Sequence, residues 1–141
     1  SPDGLDVSNQ LFIPKDIQPG ERRPALVFVH GGPRRQMLPG YHYMQFYHWA
    51  YAANQWLADQ GYIVLSVNFR SGVGYGRSFT RAPRTGRAGN SEYQDVLAAA
   101  KYLQTRTDAG LAGPALQGEF SPASGLGGAA SPLTPPRVRC G

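Results

Sequence analysis

Apolar and polar positions follow a regular order from Gln10 to about Arg106 and lose it afterwards. Gln10-Leu11-Phe12-Ile13 reads as a short strand closed by Pro14, and Gln18-Pro19-Gly20-Glu21 as a tight turn with proline and glycine at its centre. Ala25 to Val29 and Tyr62 to Val67 are near-continuous apolar runs, the pattern of strands covered on both faces. Between them Trp49, Ala52, Ala53, Trp56 and Leu57 recur at helical spacing, with Gly61 where such a helix would stop. A second helix is expected from about Glu92 to Arg106, with Tyr93, Val96, Leu97, Ala100 and Leu103 as its apolar face. Ser91 and Gln94 have capping-box spacing, and Glu92, Asp95, Lys101 and Arg106 are distributed as the helix dipole favours. The polar stretch Arg77 to Gly89 reads as a loop.

Strand, strand, helix, strand, loop and helix in this order predict an α/β fold with a mostly parallel sheet flanked by helices. A parallel strand should follow the second helix, but no apolar run is there to form it. The strand at Tyr62 is therefore expected to end the sheet with an open edge, and the chain to fold poorly by itself. From Ala109 to Gly141 glycine, proline, alanine and serine dominate and no period survives. Residues 1–108 thus read as one portion of an α/β domain and residues 109–141 as a disordered, low-complexity tail, since scattered apolar side chains do not offset the entropy of ordering. Out-of-frame reading of GC-rich coding DNA would produce such a tail and is the preferred explanation; a native tail is the other.

Composition narrows the classes further. No apolar run approaches the roughly 18 residues of a membrane span, and no signal peptide is visible, so no membrane partner is expected and the provisional placement is cytoplasmic. The single Cys140 excludes an internal disulfide and a cysteine-based zinc site. The net charge of +5 is carried by arginine except for Lys15 and Lys101. Arg77, Arg81, Arg84 and Arg87 lie close together, and with Tyr75 and Phe79 as stacking groups they offer an alternative function: a small basic module binding nucleic acid or another acidic partner. A solvated loop is the plainer reading of these arginines. Gly72, Gly74 and Gly76 follow a strand, but a dinucleotide fingerprint needs glycine where Arg77 stands, so no cofactor is expected. His42 and His48 lack a matching ligand set and read as rim or packing residues, with no metal expected.

Three segments resemble the catalytic domain of the prolyl oligopeptidase family of α/β-hydrolases: LVFVHGGP from Leu26 to Pro33, GYIVLSVNFRSGVGYG from Gly61 to Gly76, and EYQDVLAAAKYL from Glu92 to Leu103. The likeness covers roughly residues 2 to 108 and implies the first part of a serine peptidase domain acting on peptide or acyl-aminoacyl bonds. An upstream β-propeller and downstream hydrolase segments would be its partners in the full-length protein. A parallel strand ending in two glycines presents backbone N–H groups at the carboxyl edge of the sheet, where α/β ligands bind. The resemblance assigns an oxyanion-hole donor to the Gly31-Gly32 backbone, with His30, Pro33, Asn68 and Arg70 positioning the loops.

The triad itself is missing. The nucleophile elbow requires Gly-x-Ser-x-Gly after a strand. Ser91, Ser124 and Ser131 all lack that frame, and no histidine follows His48. The chain alone is therefore expected to be inactive, with exopeptidase, oligopeptidase and acyl-aminoacyl hydrolase all open for the full-length protein.

Overall fold

The computed structural model describes residues 1–86 and 90–118. Four strands and three helices follow in the order β1 (Asn9–Phe12), β2 (Arg23–Val29), α1 (Gln45–Asp59), β3 (Ile63–Val67), α2 (Arg77–Thr80), α3 (Ser91–Thr105) and β4 (Ala109–Gly118). The sheet order is β1-β3-β2-β4. β2 pairs in parallel with β3 and β4, and β1 lies antiparallel to β3. The expected α/β architecture is present, with helices on both faces of the sheet.

Strand periodicity divides the core in two. Val27, Val29, Ile63, Leu65 and Val67 face α3, where they meet Val96, Ala99, Ala100 and Leu103. Their neighbours Leu26, Phe28 and Val64 face the other way, toward Tyr47, Ala50, Tyr51 and Leu57 of α1. Successive strand side chains point to opposite faces, so an apolar run with no polar alternation needs a helix on each side. The turn before β2 also forms as expected: the Glu21 N–H donates to the Gln18 carbonyl at 3.0 Å, and Gly20 takes the positive φ of 82° that such a turn requires.

Several expectations are corrected. The strand at Tyr62 does not end the sheet, because β1 turns back against β3 and makes it an interior strand. The absence of a strand after the last helix is also overturned: Ala109–Gly118 pairs with β2. Backbone groups make a parallel ladder, so an edge can be filled by a sequence with no apolar period. Its start is tied down, since the Arg23 N–H donates to Asp108 O at 2.8 Å and the Arg22 guanidinium to Ala109 O at 2.8 and 3.1 Å. The register then shifts between Pro24 and Leu26, where the partner strand passes from Gly110 to Ala115 through Pro114, which has no N–H to give. The disorder expected beyond Gly118, and Cys140 with it, lies outside the described residues.

The buried face of α1 is rotated from the expected one. Tyr47, Asn54 and Ala58 point inward, while Trp49 and Trp56 are 64% and 60% exposed. The helix is apolar or aromatic around most of its circumference, so its spacing admits more than one face. In α3, Tyr93 is exposed and Asp95 takes an inward position. Ser91 and Gln94 form no capping box. Asn90 is the N-cap with a φ of 61° and no side-chain capping bond, and the Ser91 hydroxyl donates instead to the Pro83 and Arg84 carbonyls. The expected loop at Arg77 contains one short helical turn, α2, which buries Phe79.

Candidate active site

His30-Gly31-Gly32-Pro33 leaves the carboxyl end of β2, and the glycine loop Ser71 to Gly76 follows the carboxyl end of β3. The structure joins the two. Asn68, buried just beyond β3, accepts from the Met37 N–H at 2.8 Å with its Oδ1. Its Nδ2 donates to Met37 O at 3.0 Å and to the Tyr75 hydroxyl at 2.9 Å, so one side chain fixes both loops. The Val73 N–H donates to Arg35 O at 3.2 Å. Gly72 makes this approach possible, because a Cβ there would stand 2.6 Å from Arg35 O and 3.2 Å from Phe69 O.

The Gly31-Gly32 peptide is held from within. The Tyr47 hydroxyl, buried on α1, donates to Gly31 O at 3.1 Å, and His30 Nδ1 lies 3.2 Å from the same oxygen. No peptide bond among the described residues is cis. In a trans amide the N–H points opposite to the C=O, so the Gly32 N–H is directed away from Tyr47. Gly32 has a φ of 72°, which suits glycine and strains other residues.

His30 is only 2% exposed and stacks on Phe69, with ring centroids 4.4 Å apart. Burial pushes its pKa down to about 4, partly opposed by the Gly31 contact, with the nearby charge of Arg35 adding to the depression. The imidazole is therefore neutral near pH 7. Its Nε2 finds no hydrogen-bond partner among the described residues. His42 is a packing residue, as expected: its Nδ1 accepts from the Met44 N–H at 2.9 Å and its Nε2 donates to Gln36 O at 3.0 Å. His48 is half-buried beside Tyr41.

Arg70 anchors the far side. Its guanidinium, 2% exposed, grips the fully buried Asp95 of α3 through Nε at 2.8 Å and Nη2 at 2.7 Å, while its own N–H donates to Asp95 Oδ2 at 2.9 Å. Nη1 reaches Asp3 at 2.6 Å and Nη2 reaches the Ser1 hydroxyl at 2.7 Å. Its pKa is raised above the usual arginine range by Asp95 first and then Asp3, and Arg70 in turn holds the Asp3 carboxyl far below the usual range. Glu92 completes the mooring of the loop by accepting from the Ser71 hydroxyl at 3.0 Å and the Gly86 N–H at 2.9 Å.

His30, Gly31, Gly32, Asn68 and Arg70 thus share one sheet edge, with Pro33 exposed at the loop tip. Sequence reading missed Tyr47, Asp95 and Glu92. Tyr47 sits in an aromatic run that gives no sign of which ring turns inward, whereas an acid at an apolar helix position was a usable signal for Asp95. The basic-module reading loses its stacking platform, since Phe79 is 4% exposed and packed on Tyr75 with centroids 5.0 Å apart. Arg87 lies outside the described residues. No group of three or more potential metal ligands occurs among the described residues, and none of their helices is long and apolar enough to cross a membrane.

A family model described as "Prolyl oligopeptidase family" matches residues 47–111, from α1 into β4. The chain is 43% identical over 70 residues, half of its length, to dipeptidyl aminopeptidase BIII of Pseudoxanthomonas mexicana. It is 30% identical over 105 residues, 74% of its length, to human dipeptidyl peptidase 8. It spans only 8% and 11% of those two relatives. Among solved structures, an acylaminoacyl peptidase of Pyrococcus horikoshii superposes on 82% of the chain with a TM-score of 0.61 at 29% identity, and 17% of that enzyme is covered. Porphyromonas gingivalis dipeptidyl peptidase 4 shares the fold, with a TM-score of 0.65 over 82% of the chain at 23% identity.

Proposed function

Because the chain belongs to the prolyl oligopeptidase family of serine peptidases, we propose that it supplies one shoulder of a peptidase active site, the backbone donor that binds the oxyanion. Gly31 and Gly32 form the donor peptide, and His30, Pro33, Asn68 and Arg70 hold its loop in place. The observation that carries this reading is the clamp on Gly31 O by Tyr47, which turns the Gly32 N–H away from the helix at the carboxyl edge of the sheet. A fixed donor aimed at the developing negative charge needs no reorganisation during reaction, and one such donor is worth about 10²–10³ in rate.

The chain is one part of a working enzyme. The sequence contains no Gly-x-Ser-x-Gly and no histidine after His48, so nucleophile, acid and base come from downstream hydrolase segments, with a β-propeller upstream. The substrates are peptides, cleaved at peptide or acyl-aminoacyl bonds, as the names of its relatives suggest. The test is to express the catalytic domain that contains this segment and assay it with dipeptidyl and acylaminoacyl anilides and a fluorophosphonate label. Turnover and labelling are expected there, with neither in the 141-residue chain alone. In that domain, Tyr47→Phe should lower kcat about tenfold while KM moves less than twofold. An unchanged kcat, or labelling of the isolated chain, would refute the assignment.

A further inference from the structure

The loops around Gly32 carry cations and no acids. Between Glu21 and Glu92 the only carboxylate is Asp59, at the far end of α1, and Glu92 is occupied by Ser71 and Gly86. Arg34, Arg35, Arg77, Arg81 and Arg84 are all exposed, and none has an acidic partner among the described residues. Arg35 and α2, which carries Arg77, lie against the same glycine loop. Arg35 O meets the Val73 N–H, the Thr80 hydroxyl of α2 donates to Gly72 O at 2.8 Å, and the Ser71 N–H donates to Phe79 O at 3.0 Å. These bonds lock the glycine loop between Arg35 and α2.

Arg35 stands closest to the chemistry. A Cβ on Gly32 would lie 3.5 Å from Arg35 Cγ and 3.7 Å from its Nε, so the side chain runs alongside the backbone that would receive the scissile carbonyl. Arg70, the one buried arginine of this edge, is already neutralised by Asp95 and Asp3. Arg35 is not. A cleft lined by one sign of charge raises the local concentration of ligands of the other sign. An arginine fork pairs with a carboxylate through two parallel hydrogen bonds.

We propose that Arg35, backed by the carboxylate-free arginine rim, makes this site select peptides bearing an acidic side chain or a free carboxylate within about one residue of the scissile bond. The Gly31-Gly32 peptide is taken, as proposed above, to hold that bond's carbonyl. With consecutive residues about 3.8 Å apart, a carboxylate on a neighbouring residue comes within reach of a guanidinium beside Gly32. One on a distant residue does not.

The experiment uses the catalytic domain containing this segment and three peptide substrates identical except for Glu, Gln or Lys next to the scissile bond. The expected order of kcat/KM is Glu over Gln over Lys, with Glu about tenfold above Gln at low ionic strength. The ratio should shrink toward one in 0.5 M salt, because the rim is exposed and the Debye length at such salt is only about 4 Å. Arg35→Gln should collapse the Glu/Gln ratio, and Arg35→Glu should invert the Glu/Lys preference. Equal rates for the three substrates, a ratio that survives Arg35→Gln, or an equal loss on all three would each overturn the assignment; the last would mean that Arg35 serves the oxyanion or the loop. If no substrate is turned over, the peptidase reading fails separately. The charge assignment is then decided by calorimetric binding of the same peptides, where tighter binding of the Glu peptide supports it and equal affinity overturns it.

Discussion

Replacing Asp95 with alanine would leave the Arg70 guanidinium buried without its main counter-charge. The perturbation is severe because Asp95 is fully buried and accepts three hydrogen bonds from Arg70, one of them from the backbone N–H. Removing one partner of a buried pair costs about 3–5 kcal/mol. Asp3 and Ser1 still hold the outer nitrogens of Arg70, which favours the lower end, about 3 kcal/mol. A domain of this size is stable by only about 5–15 kcal/mol, so the loss is a large share of the total. Asp3→Ala is the internal control, since its carboxylate is exposed and solvent screens its side of the pair. Urea unfolding followed by far-ultraviolet circular dichroism reads both, with Asp95→Ala expected to lower the midpoint strongly at an unchanged slope. A loss below about 1 kcal/mol for Asp95→Ala, or one no larger than for Asp3→Ala, would refute the claim that this pair moors the strand end to α3.

The buried His30 makes stability depend on pH. In the unfolded chain it binds a proton near 6.5 and in the folded one only near pH 4, so between these values the unfolded state holds more protons and stability falls as pH falls. At about 1.4 kcal/mol per unit the full effect is roughly 3 kcal/mol. His30→Asn should flatten the urea midpoint between pH 6.5 and 4, and equal slopes in variant and parent would contradict the burial. Gly72→Ala should destabilise by about 1–3 kcal/mol, because its Cβ would meet the Arg35 carbonyl at 2.6 Å and force the two loops apart. Thermal melts measure this, and a variant as stable as the parent would show that the loops are not in close contact.

Local pattern alone identified three of the four strands and showed that helices must cover both faces of the sheet, since the runs at Ala25 and Tyr62 have no polar face to show to water. It also determined the glycine loop at the carboxyl edge, because two glycines and a proline directly after a buried strand can do little but turn. The absence of an elbow serine was equally legible, being a matter of local spacing. What the sequence left open depended on contacts between distant residues. The inward face of α1 was ambiguous because the helix is aromatic nearly all round, and only the sheet beneath it selects Tyr47, Asn54 and Ala58. β1 joined the sheet beside β3, and β4 beside β2, through backbone pairing that leaves no side-chain pattern to read. The orientation of the Gly31-Gly32 peptide arose the same way. Two glycines can present an N–H in many directions, and it is a hydroxyl from a helix 16 residues on that settles which.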